Sequence, residues 1–151
     1  MNIYIFDEQN SLSINSTQVE SIVSAVIHFE GQLVHEVSVH IVDTPTISAL
    51  HAEYFDDPST TDCISFPIDS PEEKEYRVLG EVFVCPETAI TYANKHEVDP
   101  YRETTLYIVH GLLHLMDYDD YPEVVELMRE AEKRHMGNLR HLNLCLTKGE
   151  S

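Results

Sequence analysis

The chain has 151 residues, a length for one domain with a core of its own, and 42% of them are hydrophobic. Its formal net charge is -18, from 27 Asp and Glu against nine Lys and Arg scattered along the sequence. That excludes a broadly basic nucleic-acid surface and predicts repulsion of polyphosphate. No apolar run approaches the roughly 20 residues of a membrane span. The start reaches Asp7-Glu8 with no signal-peptide pattern, and Cys63, Cys85 and Cys145, widely spaced, read as reduced thiols of a cytoplasmic protein.

Asn2 to Phe6 reads as a short strand ended by Asp7-Glu8. Thr17-Gln18-Val19-Glu20 fits a capping box. Val19, Ile22, Val23, Val26 and Ile27 then follow helical spacing, so a helix is expected to about Glu30, with Gly31 as its stop. Glu36 to Val42 alternates as a strand does, with His40 on its wetter face. Thr44-Pro45 opens a second helix with Ile47, Leu50 and Tyr54 on its apolar face. Asp56 to Thr60 is a loop by composition.

Asp62 to Phe66 is a strand stopped by Pro67; Ser65 near its end is either a substrate contact or a hydroxyl bonded to backbone. Asp69 to Tyr76 reads as an exposed loop, and Leu79 to Val84 as the fourth strand. Cys85-Pro86 begins a helix to Lys95-His96, with His96 at its surface. Asp99-Pro100 starts the next helix, with Leu106, Val109 and Leu113 toward the core and Tyr107, His110 and His114 on an adjoining stripe. Tyr121-Pro122 opens the last helix, its buried face Val124, Leu127, Met128 and Ala131, its carboxylates solvated, and His135 and His141 left to the surface or tail. The expected fold is α+β: a small mixed four-stranded sheet packed with about five helices. Residues 1–146 are expected to form a single domain, and 147–151 a frayed tail.

The chemistry concentrates in Val109 to Asp120, VHGLLHLMDYDD. His110 and His114 are four apart, which stacks two imidazoles on one helical face. Burying two histidines beside Val109, Leu112, Leu113 and Leu115 is costly without a partner, and a metal ion supplies one. A helix end at Met116-Asp117 lets the chain turn back and bring Asp120 to the same point. Two His and one carboxylate with a fourth position open is the ligand set of a catalytic zinc site. One Zn²⁺ held by His110, His114 and Asp120 is therefore expected. In the peptidase motif H-E-x-x-H the residue after the first His is the general base; here it is Gly111, which is expected to open room for a substrate beside the metal.

The segment HGLLHLMDYDD resembles the H-G-x-L-H-L-x-G-Y-D-H signature of the YbeY-type metallo-endoribonucleases. Thr61 to Pro67 is similar to that family's P-T-D-V-L-S-F-P, Leu79 to Val84 to its L-G-D-I-x-I strand, and Glu103 stands where the family has a helix Glu. The resemblance runs from about residue 36 to 132. It implies an α+β sandwich with a zincin-like metal helix across the sheet, and cleavage of single-stranded RNA. It also implies roles in rRNA maturation, notably the 3′ end of 16S rRNA, and in ribosome quality control.

The sequence departs from the family at three places. The third ligand, usually His, is Asp120, a harder anionic donor. The family's Gly before Tyr118 is Asp117, which tolerates left-handed backbone better than most residues. The family's L-N-x-x-Y-R reads Leu50 to Phe55, so Phe55 replaces an Arg implied to act on the phosphate, with Arg77 or Arg102 as substitutes. Loss of such a cation costs about a hundredfold in rate. The acidic balance predicts weak affinity for naked RNA and a ribosomal or ribosome-associated protein partner. Two alternatives remain at this point: a non-catalytic ribosome-associated factor with a structural metal, and a metallopeptidase-like hydrolase, for which Glu103, two helix turns from His110, is a remote base.

Overall fold

A computed structural model describes residues 1–57, 59–70 and 75–148. In chain order it contains β1 (Asn2–Glu8), α1 (Ser16–Phe29), β2 (Glu36–Val42), α2 (Thr44–Phe55) and β3 (Cys63–Pro67). These are followed by β4 (Val78–Val84), α3 (Pro86–His96), α4 (Pro100–Leu115) and α5 (Val125–His141). The four strands form one mixed sheet in the order β1-β2-β4-β3, in which β3 alone is antiparallel to its neighbour. The α+β expectation of four strands and five helices is met.

Several boundaries moved for local reasons. β1 continues through Asp7 and Glu8, because backbone pairing with Ile41 and Val42 takes no account of side-chain polarity on this edge strand. Helix α1 is capped by Asn15, whose side chain accepts from Thr17 N at 2.8 Å and Gln18 N at 3.4 Å, in place of the Thr17 box. Gly31 does follow the helix in left-handed backbone, φ 68. The last helix starts at Val125 after a turn in which Val124 N and Val125 N both donate to Tyr121 O. Leu127, expected in the core, is 59% exposed.

The main core lies between one sheet face and helices α1, α4 and α5. Val37, Val39 and Ile41 of β2 meet Ile22, Val23 and Val26 of α1 and Ile108, Leu112 and Leu113 of α4. On the other face, α2 covers a smaller cluster of Val42, Ile47, Ile64 and Cys85. Beside it His40 stacks between Phe6 and Phe83 and reaches Glu81 at 2.9 Å, as its place on the wetter face suggested. None of the three cysteines is bridged, and no helix among the described residues is long and apolar enough to cross a membrane.

Three polar residues break the sequence reading. Asp69 is not part of an exposed loop; it is 8% exposed, and its Oδ2 accepts from Val78 N at 2.9 Å. Residues 71–74 of that segment lie outside the described residues, as do 149–151 of the expected tail, while Thr147 is tied to Gln18 of α1 by two hydrogen bonds. His135, expected at the surface, is fully buried, and its Nε2 donates to Glu30 Oε2 at 2.6 Å. Glu30 also accepts from Tyr118 Oη at 2.9 Å and from Arg134 at 3.2 Å, fastening the end of α1 to α5 and to the turn after α4.

Burial alone would raise the Glu30 carboxyl, but the hydrogen bonds from His135, Tyr118 and Arg134 outweigh it and hold the group below its ordinary value of 4.5. A carboxyl so depressed stabilises the fold above its free pKa, and that stability is lost as pH falls through the folded value. Glu30→Gln is expected to cost roughly 3 kcal/mol at neutral pH, the scale for removing one partner of a buried pair. It should also flatten the acid branch below about pH 4.5, and denaturant unfolding across a pH series measures both.

Candidate metal centre

Helix α4 carries the site, and its seating on the sheet sets where the site points. Asp99 caps it through Tyr101 N at 2.9 Å, with Pro100 in the first turn. Leu112 and Leu113 are fully buried in the core. The helix comes close to the sheet at Gly111, whose carbonyl accepts from Ser65 Oγ at 2.9 Å. A Cβ on Gly111 would stand 2.4 Å from Val82 Cγ1 and 2.7 Å from Cys63 Sγ. Gly111 therefore does not open space beside a metal; it lets the helix lie against β3 and β4. Ser65 serves this packing, the second of the two roles its position allowed. With Gly111 turned to the sheet, His110 and His114 project from the helix flank into a cleft.

The chain after α4 returns as expected. Tyr118 N donates to Leu113 O at 3.0 Å and Asp117 N to His114 O at 3.3 Å, the paired bonds of a Schellman cap. Asp117 sits at its left-handed position with φ 72, a backbone that Asp tolerates better than most residues. This reversal carries Asp120 back over the helix. His110 Nε2 and His114 Nε2 are 3.1 Å apart, and Asp120 Oδ2 lies 2.8 Å from His114 Nε2 and 3.4 Å from His110 Nε2. Zn–N bonds of about 2.0–2.1 Å put tetrahedral donors roughly 3.4 Å apart. The three atoms fit one ion, with Asp120 44% exposed on the solvent side.

Sequence reasoning missed Glu132, which it left among solvated carboxylates of the last helix. It is 6% exposed. Its Oε2 accepts from His110 Nδ1 at 2.6 Å. Arg129 NH1 donates to both its oxygens, at 2.7 and 3.0 Å. Burial works against ionising Glu132, but these bonds prevail and hold its carboxyl low. The proton on His110 Nδ1 leaves the Nε2 lone pair facing His114 and Asp120, the arrangement of a carboxylate–histidine–metal relay. The signal was available: 132 falls on the inward side of α5 between Met128 and His135.

Two cavities meet at His110 and Asp120. One, of about 440 Å³, runs past Ser65 to His51 and Phe55. The other, of about 480 Å³, runs past Tyr92 to Glu103, Tyr107 and Arg129. Phe55 is thus a cleft residue, 54% exposed. Arg77 cannot replace the missing cation: it is 4% exposed, and its guanidinium donates to the carbonyls of Asp69 and Leu33. Arg102 lines neither cavity. Arg129, not considered from the sequence, lines the second of these cavities. Cys63 borders the cleft, but burial pushes its thiol well up, so it is no nucleophile. Glu103 is buried and its carboxyl raised by that burial.

The family described as Endoribonuclease YbeY matches residues 4–140. A protein of Protochlamydia amoebophila named Endoribonuclease YbeY is 55% identical over 141 residues, covering 93% of this chain and 94% of its own length. One of Chlamydia pneumoniae with the same name is 32% identical over 150 residues, covering 96% and 95%. A Thermotoga maritima protein solved in solution superposes with a TM-score of 0.65 at 22% identity over 94% of each chain, which speaks for the fold. The chain thus falls in a class of hydrolases that work on nucleic-acid backbones. More particularly, the chain belongs to the YbeY endoribonuclease family.

Two variants test this geometry. Asp117→Val is expected to cost about 1–2 kcal/mol through left-handed strain and to weaken metal binding by displacing Asp120, whereas Asp117→Gly should do neither; thermal melts and metal titration separate them. Glu132→Gln should weaken metal binding roughly 10–100-fold, read by competition with a chromophoric chelator.

Proposed function

We propose that residues 1–146 act as one metal-dependent hydrolase domain that cuts single-stranded RNA, in the cytoplasm, during maturation of rRNA. Family membership supports the RNA substrate, and the single observation that carries the chemistry is the convergence of His110, His114 and Asp120 in an open cleft. The resident ion is one Zn²⁺, favoured by two imidazoles and a carboxylate. When bound it polarises a phosphoryl oxygen and makes a coordinated water more acidic.

The chain's own residues supply the rest. Glu132 holds the His110 tautomer. Asp120, half open to solvent, leaves the substrate side clear. Arg129 stands as the cation nearest the ligands, in the role that Phe55 cannot fill. Phe55 and Tyr92 mark opposite arms of the cleft, and exposed rings suit stacked, unpaired bases. Residue 111 is Gly and its Cα faces the sheet, so the peptidase base has no place, which favours phosphodiester over peptide substrates. The 3′ end of 16S rRNA, a part in ribosome quality control and a ribosomal partner follow from the resemblance and the net charge of -18.

The test pairs metal analysis with RNA cleavage for wild type and His114→Ala. One zinc per chain, lost in the variant together with at least a hundredfold of cleavage rate, is the expected result. The melting temperature of the variant should match that of chelator-treated wild type. Cleavage surviving in His114→Ala, or a zinc-loaded wild type that cuts peptides and not RNA, contradicts the proposal.

A further inference from the structure

The nine Lys and Arg look scattered in sequence, but the fold gathers four of them. Arg102 from α4 and Arg129, Lys133 and Arg140 from α5 line one cavity of about 290 Å³ between the two helices. On α5 these cations fall at i, i+4 and i+11, a single stripe. The helices run antiparallel here: His110 meets Glu132 near one end, while Arg102 and Arg140 share the cavity wall at the other. Glu103, Leu106, Arg129 and Glu132 also line the cavity that reaches His110 and Asp120, so the two spaces form one groove.

Charge makes this arrangement unusual. Carboxylates outnumber cations 27 to nine, yet among the described residues Arg102, Lys133 and Arg140 form no salt bridge, whereas Arg129 is paired with Glu132. Of the two carboxylates that line the cavity between α4 and α5 itself, Glu132 is committed to His110 and Arg129, and Glu103 is buried with its carboxyl raised; Asp62 and Asp120 stand at the metal-centre end. Leu106 and Met136 give the groove an apolar floor. Cationic walls over an apolar floor fit the phosphates and the ribose and base faces of a single strand.

We propose that the α4–α5 groove is a second RNA subsite, in which Arg102, Lys133 and Arg140 hold backbone phosphates of the strand leading away from the metal centre. It rests on the RNA reading above. Arg102 is eight residues from His110, about 12 Å along the helix, or roughly three stacked nucleotides at 3.4 Å each. The subsite resolves the conflict between an acidic chain and a polyanionic substrate by confining attraction to one path.

Fluorescence anisotropy of a single-stranded RNA oligonucleotide with the full chain, in chelator to stop cleavage, tests the subsite. The three positions are exposed, so Gln substitutions there leave the core alone. The triple variant Arg102→Gln, Lys133→Gln, Arg140→Gln should bind at least tenfold more weakly. Its logarithmic salt slope should fall by about 0.7 per lost contact, and zinc stoichiometry should be unchanged. Lys95→Gln, on α3 away from the groove, should behave as wild type. Unaltered affinity and slope in the triple variant overturn the subsite. If the wild type still cuts RNA in that case, the functional reading stands; if the wild type neither binds nor cuts RNA, both fall. Unchanged RNA binding with lost binding of polyglutamate would assign the groove to an acidic polypeptide and also overturn it.

Discussion

Helix α4 lies so close to the sheet at Gly111 that a single added methyl would collide with Val82 and Cys63. That contact fixes both the depth and the rotation of the helix. That seating places His110 and His114 on its flank, directed at one point, and Glu132 fixes the His110 ring there. Every other feature of the site is arranged about that point. The Schellman turn through Asp117 returns Asp120 from the solvent side, and α5 presents Glu132 from within.

The two supports differ in kind. Asp120 is a short-range consequence of how α4 ends, so it depends on one left-handed residue. Glu132 is a long-range consequence of how α5 packs, and α5 is itself anchored by His135 and Arg134 to Glu30 at the end of α1. Helix α5 therefore contributes to the core, to the tautomer of a ligand and to the cationic wall of the groove. A chain with a net charge of -18 can approach RNA when the few cations it has are placed on the substrate's path.

Local sequence carried most of the fold. The 3.6-residue stripes of α1 and α4 and the alternation of β2 were plain, and the i, i+4 histidines with Asp120 predicted a ligand set that the structure brings together. What could not be read was set by distant parts of the chain. The capping box that starts at Thr17 gives way to Asn15 two residues earlier, whose side chain accepts from Thr17 N and Gln18 N. Gly111 was assigned to the substrate side because periodicity gives a helix face but not what covers it. Glu132 and His135 look like ordinary polar residues of an amphipathic helix until α4 and Glu30 are set beside them. Phe55 reads as a lost cation, while Arg129, the cation in the adjoining cavity, lies 74 positions away in sequence.

The account stands on three donor atoms sharing one ion. Anomalous diffraction at the zinc edge from crystals grown with stoichiometric zinc tests it directly. One peak is expected, bonded to His110 Nε2, His114 Nε2 and an Asp120 oxygen at about 2.0–2.2 Å. A zinc peak elsewhere on the surface, with the two imidazoles and Asp120 left unbridged, would contradict it.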